Sequence, residues 1–261
     1  MTNSSQLPSA LQAIDRLRKN PRLAFSLDYD GTLTPIVSRP EDAVLSSEMR
    51  ENVRNLAANF PVFVVSGRGR RNVESLVGVE GLGYVGSHGF DIRGPADSKI
   101  AREVAADSLP ALDLAEAELG TALAGVPGAL IERKRFGIAV HFRLVADSAF
   151  ARVDEAIGRS LANHSSLRRA EGKKVIELRP DVDWDKGHAV LWLLHELDLD
   201  DSHTIHIGDD LTDETVFRAL KDRGTGIFVG GEDRPTDATL RLENPDQVGE
   251  FLRQMLPNQN P

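Results

Sequence analysis

The run Leu23-Ala24-Phe25-Ser26-Leu27 is short and apolar, and it ends abruptly at Asp28-Tyr29-Asp30-Gly31. Four to eight apolar residues closed by a turn signal read as a buried β-strand. On extended chain, residues two apart point the same way. Asp28 and Asp30 are therefore expected to face one crevice at the C-terminal end of the strand. In an open α/β sheet that is where ligands bind. Gly31 permits the sharp exit that a β-branched residue would resist.

The rest of the chain supplies the sheet this strand needs. Further runs at Pro61–Val65, Tyr84–Gly86, His203–Ile207 and Gly226–Val229 read as strands. Helical patterns at Ser47–Asn59, Lys186–Leu197 and after Asp213 separate them. Strands alternating with helices predict an α/β fold with a doubly wound parallel-sheet core. The middle of the chain breaks the alternation. A helical stretch over Ala105–Leu123 precedes a hairpin over Ala129–Lys134 and Ile138–Arg143, a helix over Ala149–Leu161 and a strand over Lys174–Leu178. Residues 105–180 are accordingly expected to form an inserted α+β cap, with 1–104 and 181–261 forming the core. Leu7, Leu11, Ile14 and Leu17 recur at helical spacing near the start, and the segment after Met255 has little to pack and is expected to be disordered.

Three more segments carry chemistry. Gly208-Asp209-Asp210-Leu211-Thr212-Asp213-Glu214 follows an apolar strand and opens a helix. Carboxylates this dense repel one another unless a cation sits among them. Mg²⁺ takes a few carboxylates and keeps waters and phosphate oxygens for its other positions. Asp209 is expected as a direct ligand and Asp213 as a supporting one. Helix capping by Thr212 with Asp213 and Glu214 in the first turn explains two of these acids but leaves Asp209 and Asp210 over. Ser66-Gly67-Arg68 ends another strand, where a hydroxyl and backbone N–H groups can hold phosphoryl oxygens. Lys186 follows Asp185 at a helix start, where its ammonium can neutralise a nucleophile and a phosphate. An aspartate nucleophile divides phosphate-ester hydrolysis into two steps. One neighbouring carboxylate can protonate the leaving group and then activate water. Asp28 and Asp30 fit that division of labour, although an Asx turn after a strand accounts for the same two residues when they stand alone.

Taken together, these motifs resemble those of the haloacid-dehalogenase-like phosphatase superfamily, and more narrowly the trehalose-6-phosphate phosphatase family. The narrower resemblance rests on Leu27 to Val37, Gly86-Ser87-His88-Gly89, Glu132-Arg133-Lys134, His141-Phe142-Arg143 and the stretch Gly172 to Pro180. It implies a Rossmann-like core and an Mg²⁺-dependent hydrolysis of trehalose 6-phosphate within trehalose biosynthesis. It also implies Asp28 as nucleophile, Asp30 as general acid/base, and Ser66 and Lys186 as phosphate-binding groups. Asp28, the backbone carbonyl of Asp30, Asp209 and Asp213 form the implied metal set. Gly67, Arg68, His88, Glu132, Lys134, Arg143, Glu177 and Arg179 are the expected substrate contacts. Relatives carry glutamate where Asp91 stands, and the shorter side chain puts a sugar contact from that position in doubt.

A net charge of −9 argues against general nucleic-acid binding, where a basic face is expected. No run reaches membrane-spanning length and there are no cysteines, so a cytoplasmic monomer acting on a small sugar phosphate is expected. The core motifs leave the sugar open. A sucrose-, mannosylglycerate-, hexose- or pseudo-disaccharide phosphatase, or a non-catalytic sugar-phosphate sensor, would share them.

Overall fold

The structure is a computed structural model that describes every residue except Ser38, Lys173 and 258–261, and the side chain of Ser202. The chain divides into two compact units, one of Met1–Arg102 with Trp184–Pro261 and one of Glu103–Asp183.

The first unit begins with a two-residue strand, β1 (Thr2–Asn3), and a single-turn helix, α1 (Ile14–Leu17). Strand β2 (Ala24–Leu27), helix α2 (Ser47–Ala57), strand β3 (Val62–Val65), helix α3 (Arg70–Val77) and strand β4 (Gly83–Gly86) follow as two βα repeats leading into a third strand of a parallel sheet. Strand β5 (Asp91–Arg93) turns back antiparallel to β4, and β6 (Ala101–Glu103) lies beside β5. In the second unit, α4 (Leu109–Leu123), β7 (Leu130–Lys134), β8 (Gly137–His141), α5 (Asp147–Asn163), β9 (Leu167–Gly172) and β10 (Val175–Pro180) follow in order. The chain then returns to the first unit as α6 (Lys186–Glu196), β11 (Thr204–Gly208), α7 (Glu214–Ala219), β12 (Thr225–Val229), β13 (Pro235–Thr236), β14 (Leu240–Leu242) and α8 (Pro245–Met255).

The large sheet has the order β14-β12-β11-β2-β3-β4-β5-β6. Its six parallel members, taken in chain order, form the doubly wound 3-2-1-4-5-6 arrangement, so the connections diverge where β2 meets β11. That divergence opens a crevice at the C-terminal ends of these two strands. β2 and β11 are wholly buried, as the apolar run over 24–27 anticipated. One helical layer buries Val53 and Leu56 of α2 and Phe251 and Leu252 of α8 against the sheet, and the other buries Val190, Leu193 and Leu194 of α6.

The second unit is a four-stranded antiparallel sheet of order β7-β8-β10-β9. Ile138, Val140, Ile176 and Leu178 point to one face and pack with Leu112 and Leu119 of α4 and Val153 and Ile157 of α5. The alternate residues, including Glu132, Lys134 and Glu177, lie on the opposite face, as the period of two requires.

Several elements differ from the sequence expectation. The Leu7–Leu17 periodicity yields a 3₁₀ turn over Ala10–Ala13 and then one α-turn, not a continuous helix. The helix expected from residue 105 starts at Leu109 after a 3₁₀ turn. Strands β5, β6, β9 and β14 and helices α3 and α8 had no counterpart in the sequence reading. The tail expected to be disordered runs over 256–261; its first residue, Leu256, instead packs on the core, and 258–261 lie outside the described residues. Among the described residues, no helix is long and apolar enough to cross a membrane.

Helix α8 begins at Asn244, whose side chain accepts from the Gln247 N–H at 3.0 Å. Its Phe251 is fully buried. Phe251→Ala is expected to cost about 3–5 kcal/mol in denaturant unfolding. A loss below about 1 kcal/mol would show that α8 is not part of the cooperative core.

Candidate active site

The crevice between β2 and β11 collects the acidic motifs. Strand β2 pairs with β11 in parallel, and the Asp28 N–H donates to the Ile207 carbonyl at 2.9 Å, continuing the ladder one residue past the strand. This places Asp28 beside the 208–214 loop. Asp28, Asp209 and Asp213 each offer a carboxylate oxygen within 4.8 Å of the others. Helix α6 delivers Lys186 from the side. Its ammonium donates to Asp28 Oδ1 at 2.7 Å and to Asp213 Oδ1 at 2.9 Å, with only 2% of the lysine side chain exposed. Asp185 holds the start of that helix by accepting from the His188 N–H at 2.9 Å.

Two glycines make this convergence possible. Gly31 has φ +84°, and a Cβ there would occupy the space of the Asp209 carboxylate. A Cβ on Gly208 would meet the Asp213 side chain. Both carboxylates therefore lie against bare backbone, where no other residue type fits.

Burial and mutual repulsion set the proton affinities. Burial, with Asp213, Asp209 and Asp210 nearby, lifts the Asp28 carboxyl well above the usual range, against the pull of Lys186. Burial, with Asp213 and Asp210, pushes Asp209 up to about 7. Asp213 goes the other way. Burial opposes its ionisation, but Lys186 and His206 outweigh that cost and hold it below the ordinary carboxylate range. Lys186 is raised well above its usual value, since Asp213 and Asp28 overcome the desolvation of its charge.

Asp30 follows Asp28 past the end of the strand. The strand ends at Leu27, and Asp30 already lies in a turn closed by Leu33 N–H and Thr34 N–H on the Tyr29 carbonyl. The rule for extended residues no longer applies there. Arg68 takes the Asp30 carboxylate with two bonds, from Nε at 2.7 Å and Nη2 at 2.6 Å. Its guanidinium also lies over the Tyr29 ring. Asp30 thus stands outside the Asp28–Asp209–Asp213 carboxylate group. Ser66 is buried, and its hydroxyl accepts from the Arg68 N–H at 3.1 Å. Gly67 packs directly under the His88 ring, which the left-handed backbone at Ser87 and His88 presents. Asp91 is buried and paired with Arg70 Nε at 2.7 Å.

The alternative of helix capping by Thr212 is not found: the N-cap of α7 is Asp213, which makes no side-chain cap bond, and Asp210 closes the preceding turn, its Oδ1 accepting from the Thr212 N–H, the Thr212 hydroxyl and the Asp213 N–H. This turn aims Asp213 inward. The sequence reading also missed His206 and Ser26. They face each other in register on β11 and β2, with His206 Nδ1 3.0 Å from Ser26 Oγ and Nε2 3.1 Å from Asp213 Oδ1. Two polar residues inside adjacent buried strands were the available signal.

The remaining expected residues lie on the polar face of the second unit's sheet. Glu132 and Glu177 flank Ala139 in register. Lys134 Nζ donates to Glu177 Oε1 at 2.7 Å, Arg179 pairs with the other Glu177 oxygen, and His141 Nε2 lies 2.9 Å from Glu132. Arg143 follows β8 on exposed chain.

With this geometry in view, comparison with known proteins is decisive. The trehalose-phosphatase family model matches residues 26–246. The chain belongs to the trehalose-phosphatase family. Members are phosphoric monoester hydrolases, and so is this chain. It is 40% identical to the probable trehalose-phosphate phosphatase 9 of Oryza sativa subsp. japonica over 95% of its own length and 74% of the relative's. The C-terminal domain of C. albicans trehalose-6-phosphate phosphatase superposes with a TM-score of 0.78, covering 96% of this chain and 98% of that one at 24% identity. The C-terminal domain of the Candida albicans trehalose synthase regulatory protein also superposes, at a TM-score of 0.72 and 14% identity over 96% of this chain and 99% of that one. At such identities the two superpositions establish the fold alone.

Two outcomes test the site geometry. Gly31→Ala puts a Cβ 2.1 Å from Asp209 Oδ2, so the carboxylate must move by about 1 Å, and a displacement of that size costs on the order of 100-fold in turnover. Steady-state kinetics on the purified variant reads this directly, and near-normal kcat/KM would contradict the placement. The second outcome concerns stability without metal. Asp209 binds its proton more tightly folded than unfolded, so its contribution is present at low pH and lost as pH rises from about 4 through 7. In chelator at pH 8, Asp209→Asn is therefore expected to raise the melting temperature by about 2–6 °C. That gain disappears near pH 4.

Proposed function

We propose that the chain hydrolyses trehalose 6-phosphate to trehalose and phosphate through an aspartyl-phosphate on Asp28, with Mg²⁺ held by its acidic crevice. The observation that carries the reading is the buried Asp28–Lys186–Asp213 cluster beside Asp209. One ammonium faces three carboxylates there, and Asp209 Oδ1 is buried with no hydrogen-bond partner among the described residues. A hard divalent cation with oxygen preference fits that donor set. Asp28, Asp209 and the Asp30 carbonyl are the proposed ligands, with Asp213 in support. When bound, the ion would offset the charge of the phosphoryl oxygens and of the carboxylates.

In this mechanism Asp28 attacks phosphorus as its oxygen–phosphorus bond to the sugar breaks. Asp30 gives a proton to the departing sugar oxygen, then takes one from the water that cleaves the aspartyl-phosphate. Both Asp30 oxygens are engaged by Arg68, so proton transfer requires Asp30 to release one of those bonds. Lys186 keeps Asp28 from carrying its charge alone, and Ser66 with the N–H groups of Gly67 and Arg68 binds phosphoryl oxygens. His88 lines the same turn.

The sugar is read by the polar face that carries Glu132, Lys134, Glu177 and Arg179, with Arg143 adding positive charge. A disaccharide presents many hydroxyls and little apolar surface, which suits paired acids and bases as acceptors and donors.

Asp28→Asn keeps size and loses the nucleophile, so turnover is expected to fall at least about 10⁴-fold with the fold intact. Phosphate release from trehalose 6-phosphate, sucrose 6-phosphate, glucose 6-phosphate and p-nitrophenyl phosphate, with Mg²⁺ and with chelator, tests chemistry and substrate separately. Metal-dependent preference for trehalose 6-phosphate supports the reading, whereas metal-dependent activity spread evenly over the esters retains the mechanism and removes the sugar assignment. Glu177→Gln is expected to depress kcat/KM on trehalose 6-phosphate by at least tenfold more than on p-nitrophenyl phosphate. Equal losses would show that Glu177 reads no sugar.

A further inference from the structure

The loop between β12 and β14 holds an arginine that the reaction does not use. Arg234 lies over the Phe228 ring, its guanidinium carbon 4.6 Å from the centroid. From that platform Nη2 reaches the backbone carbonyls of both Asp209 and Asp210, at 3.0 Å each, and approaches Glu214 Oε1 at 3.3 Å. The other Glu214 oxygen accepts from the Asp237 N–H at 2.9 Å, so Glu214 ties the same loop from the opposite end.

Arg234 is itself held by the N-terminal arm. β1 pairs antiparallel with β13, immediately after Arg234. Ser4 is buried, and three bonds join it to this loop. The Ser4 N–H donates to the Arg234 carbonyl at 2.9 Å, the Arg234 N–H donates to Ser4 Oγ at 3.0 Å, and the Ser4 hydroxyl donates to the Glu232 carbonyl at 2.7 Å. Asn3 Nδ2 and the Ser5 N–H both donate to the Asp233 carboxylate. Four residues, Thr2 to Ser5, that add almost nothing to the hydrophobic core thus fix the backbone on either side of one arginine.

We infer that Arg234 is a positioning residue for the Asp209–Asp210 turn, and that the N-terminal arm sets its position through Ser4. The inference rests on the proposal that this turn holds Mg²⁺. Two carbonyls at the mouth of an acidic loop would otherwise depend on water for hydrogen bonds. One guanidinium nitrogen, Nη2, bonds both at once, and the planar, permanently charged group is held over the Phe228 ring. With the two carbonyls fixed, the Asp209 peptide has one orientation and its carboxylate one aim. Arg234 touches neither the phosphoryl group nor the carboxylates that bind the ion. Its loss is therefore expected to weaken metal binding and leave the metal-saturated reaction nearly intact.

The test uses the full chain with Arg234→Met, Arg234→Lys and Ser4→Ala. Amide hydrogen exchange of residues 209–213 is measured without metal, and Mg²⁺ affinity is taken from the rise of melting temperature with Mg²⁺, which needs no turnover. Arg234→Met is expected to speed exchange in 209–213 at least tenfold and to weaken Mg²⁺ binding about tenfold, with kcat at saturating Mg²⁺ within threefold of the unsubstituted protein. Ser4→Ala is expected to change both in the same direction by a smaller factor. Arg234→Lys is expected to fall between Arg234→Met and the unsubstituted protein in exchange, because an ammonium can donate to both carbonyls but its flexible stem lacks the planar group that lies over Phe228. Unchanged exchange and unchanged Mg²⁺ affinity in Arg234→Met would overturn the inference. If Arg234→Met does not fold, the same two readings on Arg234→Lys and Ser4→Ala decide it. Failure of Mg²⁺ to stabilise the unsubstituted protein would instead remove the metal reading, and this inference with it.

Discussion

One lysine ammonium, shut away from water among three aspartates, organises the functional half of this molecule. A buried charge is costly unless paired and hydrogen-bonded, and removing one partner of such a pair costs several kcal/mol. Lys186 meets that condition through Asp28 and Asp213, contributed by segments 158 and 27 residues away. Each partner then needs its own support. Asp213 receives His206 and the Asp210 N–H, and His206 in turn meets Ser26 on the neighbouring strand. The outcome is a polar seam running through two strands that are otherwise fully buried. A hydrophobic substitute would pack the same space more cheaply, so the seam is explained by chemistry rather than by stability.

Topology makes the seam possible. In the strand order found here, β2 and β11 are neighbours although far apart in sequence, and their C-terminal loops leave in opposite directions. The loop after β2 brings Asp28 and Asp30, and the loop after β11 brings Asp209, Asp210 and Asp213. Helix α6 reaches the crevice with its first residue. A helix N-terminus disfavours a cation by its dipole, and the two carboxylates that grip Lys186 outweigh that penalty.

What the sequence made legible follows from the same physics. Wholly buried parallel strands are continuous apolar runs, so 24–27, 62–65 and 204–208 were visible. β9, Leu-Arg-Arg-Ala-Glu-Gly, buries mainly Leu167 and carries its charges outward, so hydropathy did not mark it. β5 and β6 are three residues each, too short to show a period. Helix α8 did carry a signal in Asn244-Pro245 followed by Val248, Phe251, Leu252 and Met255 at helical spacing. In the site, residue types were readable and orientation was not. The two-residue rule applied to Asp28 and Asp30 holds only while the chain stays extended, and the turn at Tyr29 sends one carboxylate to Lys186 and the other to Arg68. Arg234 left no trace at all, because its importance comes from an arm more than two hundred residues away in sequence.

Fold and chemistry separate cleanly at this point. The C-terminal domain of the Candida albicans trehalose synthase regulatory protein shares the fold at 14% identity, and a shared fold does not by itself fix an activity. The charges decide it. In the crevice of the first unit, three carboxylates surround one buried ammonium, which leaves negative charge that a cation would offset. In the second, Glu177 is met by Lys134 and Arg179, so acid and base are balanced and hydrogen-bonding capacity is high at little net charge. The first pattern suits an ion and a phosphoryl group, and the second suits a neutral sugar. A hydroxyl that reaches Glu177 must compete with two cations already in place. Selectivity there depends on how well a sugar's hydroxyls replace those bonds, since a buried acid or base left unpaired costs more than a new contact gains.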